Sequence, residues 1–95
     1  MRIVYSRRAA EDLIRLTDFL LESDPSAAAR TVAVIEDAVM ILERHPLIGR
    51  KLDERMRELV ISRGKSGYVA LYTLLPQRDT VLVLTIRHQR EAGTG

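Results

Sequence analysis

An α+β fold of two layers is what this sequence predicts, and three observations carry that prediction. A short β-branched and aromatic run opens the chain at Arg2-Ile3-Val4-Tyr5. Two stretches with apolar residues at helical spacing follow, split by Asp24-Pro25, and three β-rich runs joined by short turns close it. A helical hairpin with an apolar stripe needs a partner surface, and a sheet supplies one, so the hairpin is expected to lie on a sheet.

Each element has a local cause. Arg2–Tyr5 reads as a strand. Ser6 then offers a hydroxyl to cap a helix, and Glu11 and Asp12 are placed to favour its positive end. Leu13, Leu16 and Leu20 recur on one face of that helix, which is expected over about residues 7–22. Asp24 is a second N-cap, and Pro25 at the first helical position forfeits only a donor that would be orphaned anyway. Ala28, Val32, Ile35, Val39 and Leu42 then keep a 4-3-4-3 spacing, predicting a second helix over about 25–44. His45-Pro46 stops it, because a residue before proline is pushed out of the α region. So short a connection makes the two helices antiparallel neighbours.

Residues 46–56 hold loop signals, Pro46 and Gly49 among charges. Arg57–Ser62, Gly67–Leu75 and Thr80–Arg87 are the remaining strands, separated by Gly64-Lys65-Ser66-Gly67 and Pro76-Gln77-Arg78-Asp79 as turns. Links this short favour a three-stranded antiparallel meander. Strict alternation in the last strand puts Leu82, Leu84 and Ile86 on one face and Val81, Val83, Thr85 and Arg87 on the other. The whole chain, residues 1–95, reads as one domain with a frayed tail from about residue 91.

Composition removes several function classes. The chain has no cysteine, so a disulfide framework or a thiolate metal site is unavailable. His45 and His88 are far apart and lack the spacing of a metal-binding helix. There is no P-loop and no nucleophile elbow. A metal, a nucleotide or another cofactor is therefore not expected. No apolar run approaches the ~18–20 residues that span a membrane, and the start lacks the apolar region of a signal peptide, so a cytoplasmic address is expected.

Net charge is only +2, but its distribution is uneven. Residues 1–48 carry 6 basic and 8 acidic side chains, or −2, whereas residues 49–95 carry 9 and 5, or +4. Thirteen of the 15 basic residues are arginine, whose planar fork suits carboxylate and phosphate. The C-terminal half is expected to present a positive surface to an acidic partner or a phosphate backbone; a mixed solubilising surface is the plainer alternative.

General acid–base cleavage of RNA would need a base, an acid and cations for the phosphorane. Arg57, Arg63, Arg87 and Arg90 supply cations, His88 an acid or base, and Tyr68 and Tyr72 stacking surfaces. Each has a structural alternative. His88 suits a local hydrogen bond at a strand end, His45 suits a helix C-terminus, and the two tyrosines suit half-buried packing.

Four segments, in order, resemble one family. Ile3-Val4-Tyr5-Ser6-Arg7-Arg8-Ala9-Ala10-Glu11-Asp12-Leu13 looks like the strand and S-x-x-A-x-x-D-L helix that open RelE/ParE toxins of type II toxin–antitoxin systems. His45-Pro46-Leu47-Ile48-Gly49-Arg50 resembles their H-P-x-x-G-R/K segment. Arg57-Glu58-Leu59 with Gly67-Tyr68-Val69-Ala70-Leu71-Tyr72 resembles their strand pair ending in Tyr, and Ile86-Arg87-His88-Gln89-Arg90-Glu91 the R-H-x-R-E ending of ParE-like members. The resemblance implies a toxin silenced by a cognate antitoxin in a tight complex, reaching operator DNA only through that antitoxin. In the RelE branch it implies mRNA cleavage on the ribosome, with an arginine before the conserved Tyr and a His or Tyr at the extreme C-terminus. Here those positions read Val69, and Gln89 and Arg90 with no aromatic after them. The expectation is accordingly the ParE branch, a non-enzymatic inhibitor of DNA gyrase with no catalytic residues; the alternatives are a RelE-like endoribonuclease and an inactive antitoxin-binding module. Target contacts are expected from Arg87, His88, Arg90, Arg63 and Tyr72, and antitoxin contacts from Leu13, Leu16, Leu20 and Arg57.

Overall fold

The structure is a computed structural model and describes residues 1–62 and 67–88. Its elements are β1 (Arg2–Tyr5), α1 (Arg7–Ser23), α2 (Pro25–Met40), β2 (Arg50–Lys51), β3 (Met56–Val60), β4 (Tyr68–Leu75) and β5 (Thr80–His88), with single 3-10 turns at Ile41–Glu43 and Pro76–Arg78. The two helices form an antiparallel hairpin on one face of a five-stranded sheet ordered β1-β5-β4-β3-β2. The α+β, two-layer reading of the sequence therefore holds.

Both helix starts form as their residues dictate. Ser6 Oγ accepts the N–H of Ala9 at 3.0 Å. Asp24 Oδ1 accepts those of Ser26 and Ala27 at 3.1 and 3.2 Å, with Pro25 leading α2. The proposed role of Glu11 and Asp12 at the positive end of α1 does not survive. Its first turn, from Arg7, holds no acid, and Asp12 lies in the second turn, buried.

Two features of the sheet depart from the predicted meander. β1 pairs with β5 in parallel, so the sheet is mixed; the whole hairpin lies between β1 and the rest, and the antiparallel bias of short links does not reach it. β2 is a two-residue edge strand against Glu58 and Arg57, too short and too charged to have been read as anything but loop.

The core lies between the layers. Ile35, Val39 and Leu42 from the second helical segment are fully buried, as are Ala9, Ala70, Tyr72, Val81, Val83 and Ile86. The simple alternation expected for the last strand fails at one point. Leu71 pairs with Thr85, but Tyr72 pairs with Val83, so β5 carries an extra residue, Leu84, in a bulge. A bulge shifts the side-chain phase by one. Val81 and Val83 face the helices before it and Ile86 faces them after it, while Leu82 and Leu84 remain half-buried. α1 ties itself to this irregularity. Ser6 donates its backbone N–H to Val83 O and its hydroxyl to Leu84 O, and Asp12 Oδ2 accepts the N–H of Ile86 at 3.0 Å.

Candidate functional site

The segment His45–Arg50 is held as a strap over one end of the inner sheet face. Tyr72, wholly buried on β4, donates its hydroxyl to Pro46 O at 2.7 Å and accepts the N–H of Gly49 at 2.9 Å. Arg57, beside Tyr72 in the strand register, donates to Leu47 O and Gly49 O at 3.2 and 2.9 Å. Arg50 pairs with Glu58 at 3.2 Å. Gly49 is required by close approach: a Cβ there would stand 2.5 Å from the Tyr72 hydroxyl and 2.9 Å from the backbone oxygen of Glu58.

The strap corrects two expectations. Tyr72 cannot stack on a target, because its ring is enclosed and its hydroxyl is committed to two backbone groups. Arg57 likewise spends donors on loop carbonyls, which it satisfies where the loop has no ladder partner. Burial pushes the Tyr72 hydroxyl above its ordinary pKa of 10.0, against the opposing pull of the Gly49 N–H and Arg57. Tyr5 and Tyr68 are also raised by burial, Tyr5 additionally by the charge of Glu36. A raised tyrosine favours the folded state below the unfolded value and gives up that stability as pH climbs through the folded one. Stability is thus expected to hold up to about pH 10 and decline above it, by this linkage. Tyr72→Phe is expected to cost about 1–3 kcal/mol at pH 7 by stranding the Gly49 N–H, and to flatten the alkaline decline. Urea unfolding at pH 7, 9 and 11 checks both; an unchanged midpoint at pH 7 would refute the strap's role.

The end of β5 was expected to gather Arg87 and His88 into one positive cluster. The strand separates them. His88 pairs in register with Tyr68 on the helix side, their rings meeting edge-to-face with centroids 5.3 Å apart. Arg87 pairs with Val69 and lies on the opposite, helix-free face. Arg87 is half-buried, and among the described residues its guanidinium has no hydrogen-bond or ion-pair partner. Two residues earlier on that face, Thr85 is 7% exposed and its hydroxyl has no partner. The other two expected target contacts, Arg63 and Arg90, lie outside the described residues.

Two of the three leucines assigned to the antitoxin, Leu13 and Leu16, serve the core instead. Leu16 is buried in the main cluster, Leu13 packs against it, and Leu20 is half-buried. A stripe that faces the sheet is not free for a partner. What α1 shows to solvent is Ile14, Phe19 and Leu21, at 61, 68 and 47% exposure.

Asp12 and Thr85 were overlooked as key residues. Asp12 had a signal: an acid among Ala9, Leu13 and Leu16 lies within the buried stripe, where a carboxylate must find a donor. Thr85 had none, because its surroundings depend on the bulge. A cleft of about 510 Å³ also opens at the far end of the sheet, lined by Leu47, Arg55, Arg57, Thr73 and Leu75 among others. Asp53, Arg57 and Thr73 are the polar side chains of its lining that are engaged among the described residues. Asp53 Oδ1 accepts the N–H of both Arg55 and Met56 at 2.7 Å, which holds its carboxyl below the usual range. Among the described residues no group of three or more His, Cys, Asp or Glu is placed to hold a metal ion, and no helix is long and apolar enough to cross a membrane.

Comparison with known proteins agrees with this geometry. The family model described as the ParE toxin of the type II toxin–antitoxin system parDE matches residues 3–93. Toxin RelE3 of Caulobacter vibrioides is 40% identical over 84 residues, 88% of this chain and 89% of its own length. Toxin RelE1 of the same organism is 41% identical over 73 residues, 77% and 78% of the two chains. Among solved structures, a chain of the chromosomal ParDE toxin–antitoxin system of P. aeruginosa has the same fold, with a TM-score of 0.77 and 23% identity over 93% of this chain and 95% of that one. A chain of the RelBE2 toxin–antitoxin complex of Mycobacterium tuberculosis gives 0.62 and 27% over 92% and 95%.

Proposed function

The chain belongs to the ParE toxin family of type II toxin–antitoxin systems, and we propose that this toxin acts by binding, as an inhibitor of DNA gyrase that a cognate antitoxin neutralises. The observation that carries the binding reading is the pairing of Arg87 with Val69. Val69 stands where the resemblance places the nuclease arginine, so Arg87 is without that second cation on the helix-free face. A single guanidinium steers and anchors a partner well, but it stabilises a phosphorane poorly without a neighbouring acid and base. His88 is no substitute, since it faces the other side of the sheet against Tyr68. Arg63 and Arg90, which lie outside the described residues, are proposed as further target contacts, and operator DNA is proposed to be reached through the antitoxin.

The names of the 40% relatives favour a second reading, mRNA cleavage of the RelE kind. One experiment separates the two: express the chain alone, then assay gyrase supercoiling and mRNA integrity side by side. Arg87→Ala is expected to weaken gyrase inhibition in a graded, salt-sensitive way, by about 1–3 kcal/mol. His88→Gln is expected to be tolerated, since no proton needs to move. Site-specific mRNA cuts that vanish in His88→Gln while ribosome binding persists would overturn the binding reading in favour of the nuclease.

A further inference from the structure

We propose that the cleft between the strap and the end of β4 is a target-contact site, taking a large apolar side chain of the target protein with a carboxylate of the same segment on Lys51 and Arg55. The inference rests on the reading that this toxin acts by binding a protein. It adds a second anchor, at the opposite end of the sheet from Arg87.

The cleft encloses about 510 Å³ where β4 runs out. Its apolar lining comes from distant parts of the chain: Leu47 on the strap, Leu74 and Leu75 at the end of β4, and Pro76 after it. Leu47 is 62% exposed, yet its backbone is fixed. Tyr72 donates to Pro46 O, and Arg57 to Leu47 O and Gly49 O. The second loop of the lining is fixed as well. Asp53 Oδ1 accepts the N–H groups of Arg55 and Met56, and the Thr73 hydroxyl donates to Arg55 O. An exposed leucine on a loop held this firmly loses little freedom when a partner covers it, and that is what lets a small contact bind strongly.

Charge selects the occupant. Neither the Lys51 ammonium nor the Arg55 guanidinium has a hydrogen-bond or ion-pair partner among the described residues, although both lie near enough to Asp53 to help hold its carboxyl down. Asp53 is itself committed to two backbone N–H groups, so a carboxylate from outside meets two cations beside the apolar cleft. Glu54, the other acid of the lining, limits the partner to an isolated carboxylate instead of a run of them. The same lining disfavours a nucleic-acid strand. It holds no aromatic ring for a base to stack on, and phosphates would face Asp53 and Glu54.

The test expresses the full-length chain with and without its cognate antitoxin. Alone, the parent is expected to arrest growth. Leu47→Asp and Arg55→Glu are each expected to raise the expression needed for arrest at least about tenfold. Both residues are exposed, so both variants are expected to melt within about 4 °C of the parent and to co-purify with the antitoxin as the parent does. Ile14→Asp, on the solvent side of α1, is expected to arrest growth like the parent. The proposal is overturned if Leu47→Asp and Arg55→Glu both arrest growth at the parent's expression level. Three other results overturn it by assigning the cleft elsewhere: an antitoxin complex lost in Leu47→Asp, a labelled single-stranded oligonucleotide bound by the parent and released by Arg55→Glu, or a dimer of the free parent broken by Leu47→Asp. Growth arrest reports on target contact whatever the target is, and gyrase supercoiling with the purified parent is read separately. No inhibition there sinks the gyrase reading and leaves the growth comparison standing, whereas a parent that arrests no growth overturns both.

Discussion

Truncating Ile35 to alanine is expected to lower the free energy of unfolding by about 2–5 kcal/mol, the range for large-to-small changes in a closed core. Ile35 is fully buried on α2 and belongs to the cluster of Ala9, Val39, Ala70, Val83 and Ile86, which is where helix layer and sheet layer meet. A domain of this size has about 5–15 kcal/mol in all, so the loss is a large share. The neighbouring Val34, 50% exposed on the far side of α2, serves as the control, and Val34→Ala is expected within about 0.5 kcal/mol of the parent. Urea titrations of the two variants check the pair. If they prove equally stable, α2 does not pack as described.

Asp12→Ala is expected to cost about 1.5–3 kcal/mol and to disturb the end of β5. The Asp12 carboxylate is 5% exposed, accepts the N–H of Ile86 at 3.0 Å and faces Arg15 at 3.3 Å. Little of its worth comes from Arg15, whose side chain is 61% exposed and screened by solvent. The bond to Ile86 matters more, because Ile86 lies past the end of β1, whose pairing with β5 stops at Val83, and the carboxylate takes the place of a strand neighbour there. Asp12→Asn keeps an acceptor oxygen while removing the charge, so its stability is expected between parent and Asp12→Ala. Amide exchange at Ile86 gives a local readout. It should quicken far more in Asp12→Ala than exchange at residues of α2, and unchanged protection of Ile86 would count against the clamp.

Much of the fold was legible because it is written in local chemistry. Ser6, Asp24 and Pro25 act within a turn of their own positions, and the 4-3-4-3 spacing from Ala28 to Leu42 is a property of helix geometry alone. The family resemblance was legible for a related reason. Its motifs are short, and the H-P-x-x-G-R segment reports a strap whose parts must all be present: a carbonyl at Pro46, space at Gly49 and a cation at Arg50. The site was less legible. Adjacent residues on a strand look like a cluster in one dimension, yet Arg87 and His88 are divided between two faces.

From the sequence by itself came the α+β class, the helical hairpin with its caps, the three long strands and the family, since each rests on spacing or on residues that act locally. Tertiary structure alone decided the parallel pairing of β1 with β5, the bulge at Leu84, the burial of Tyr72 and the parting of Thr85 and Arg87 from the face that Val81 and Val83 occupy. All four depend on which distant segments meet, Asp12 with Ile86 and Gly49 with Tyr72 among them, and one extra residue in a strand reverses the facing of every side chain after it.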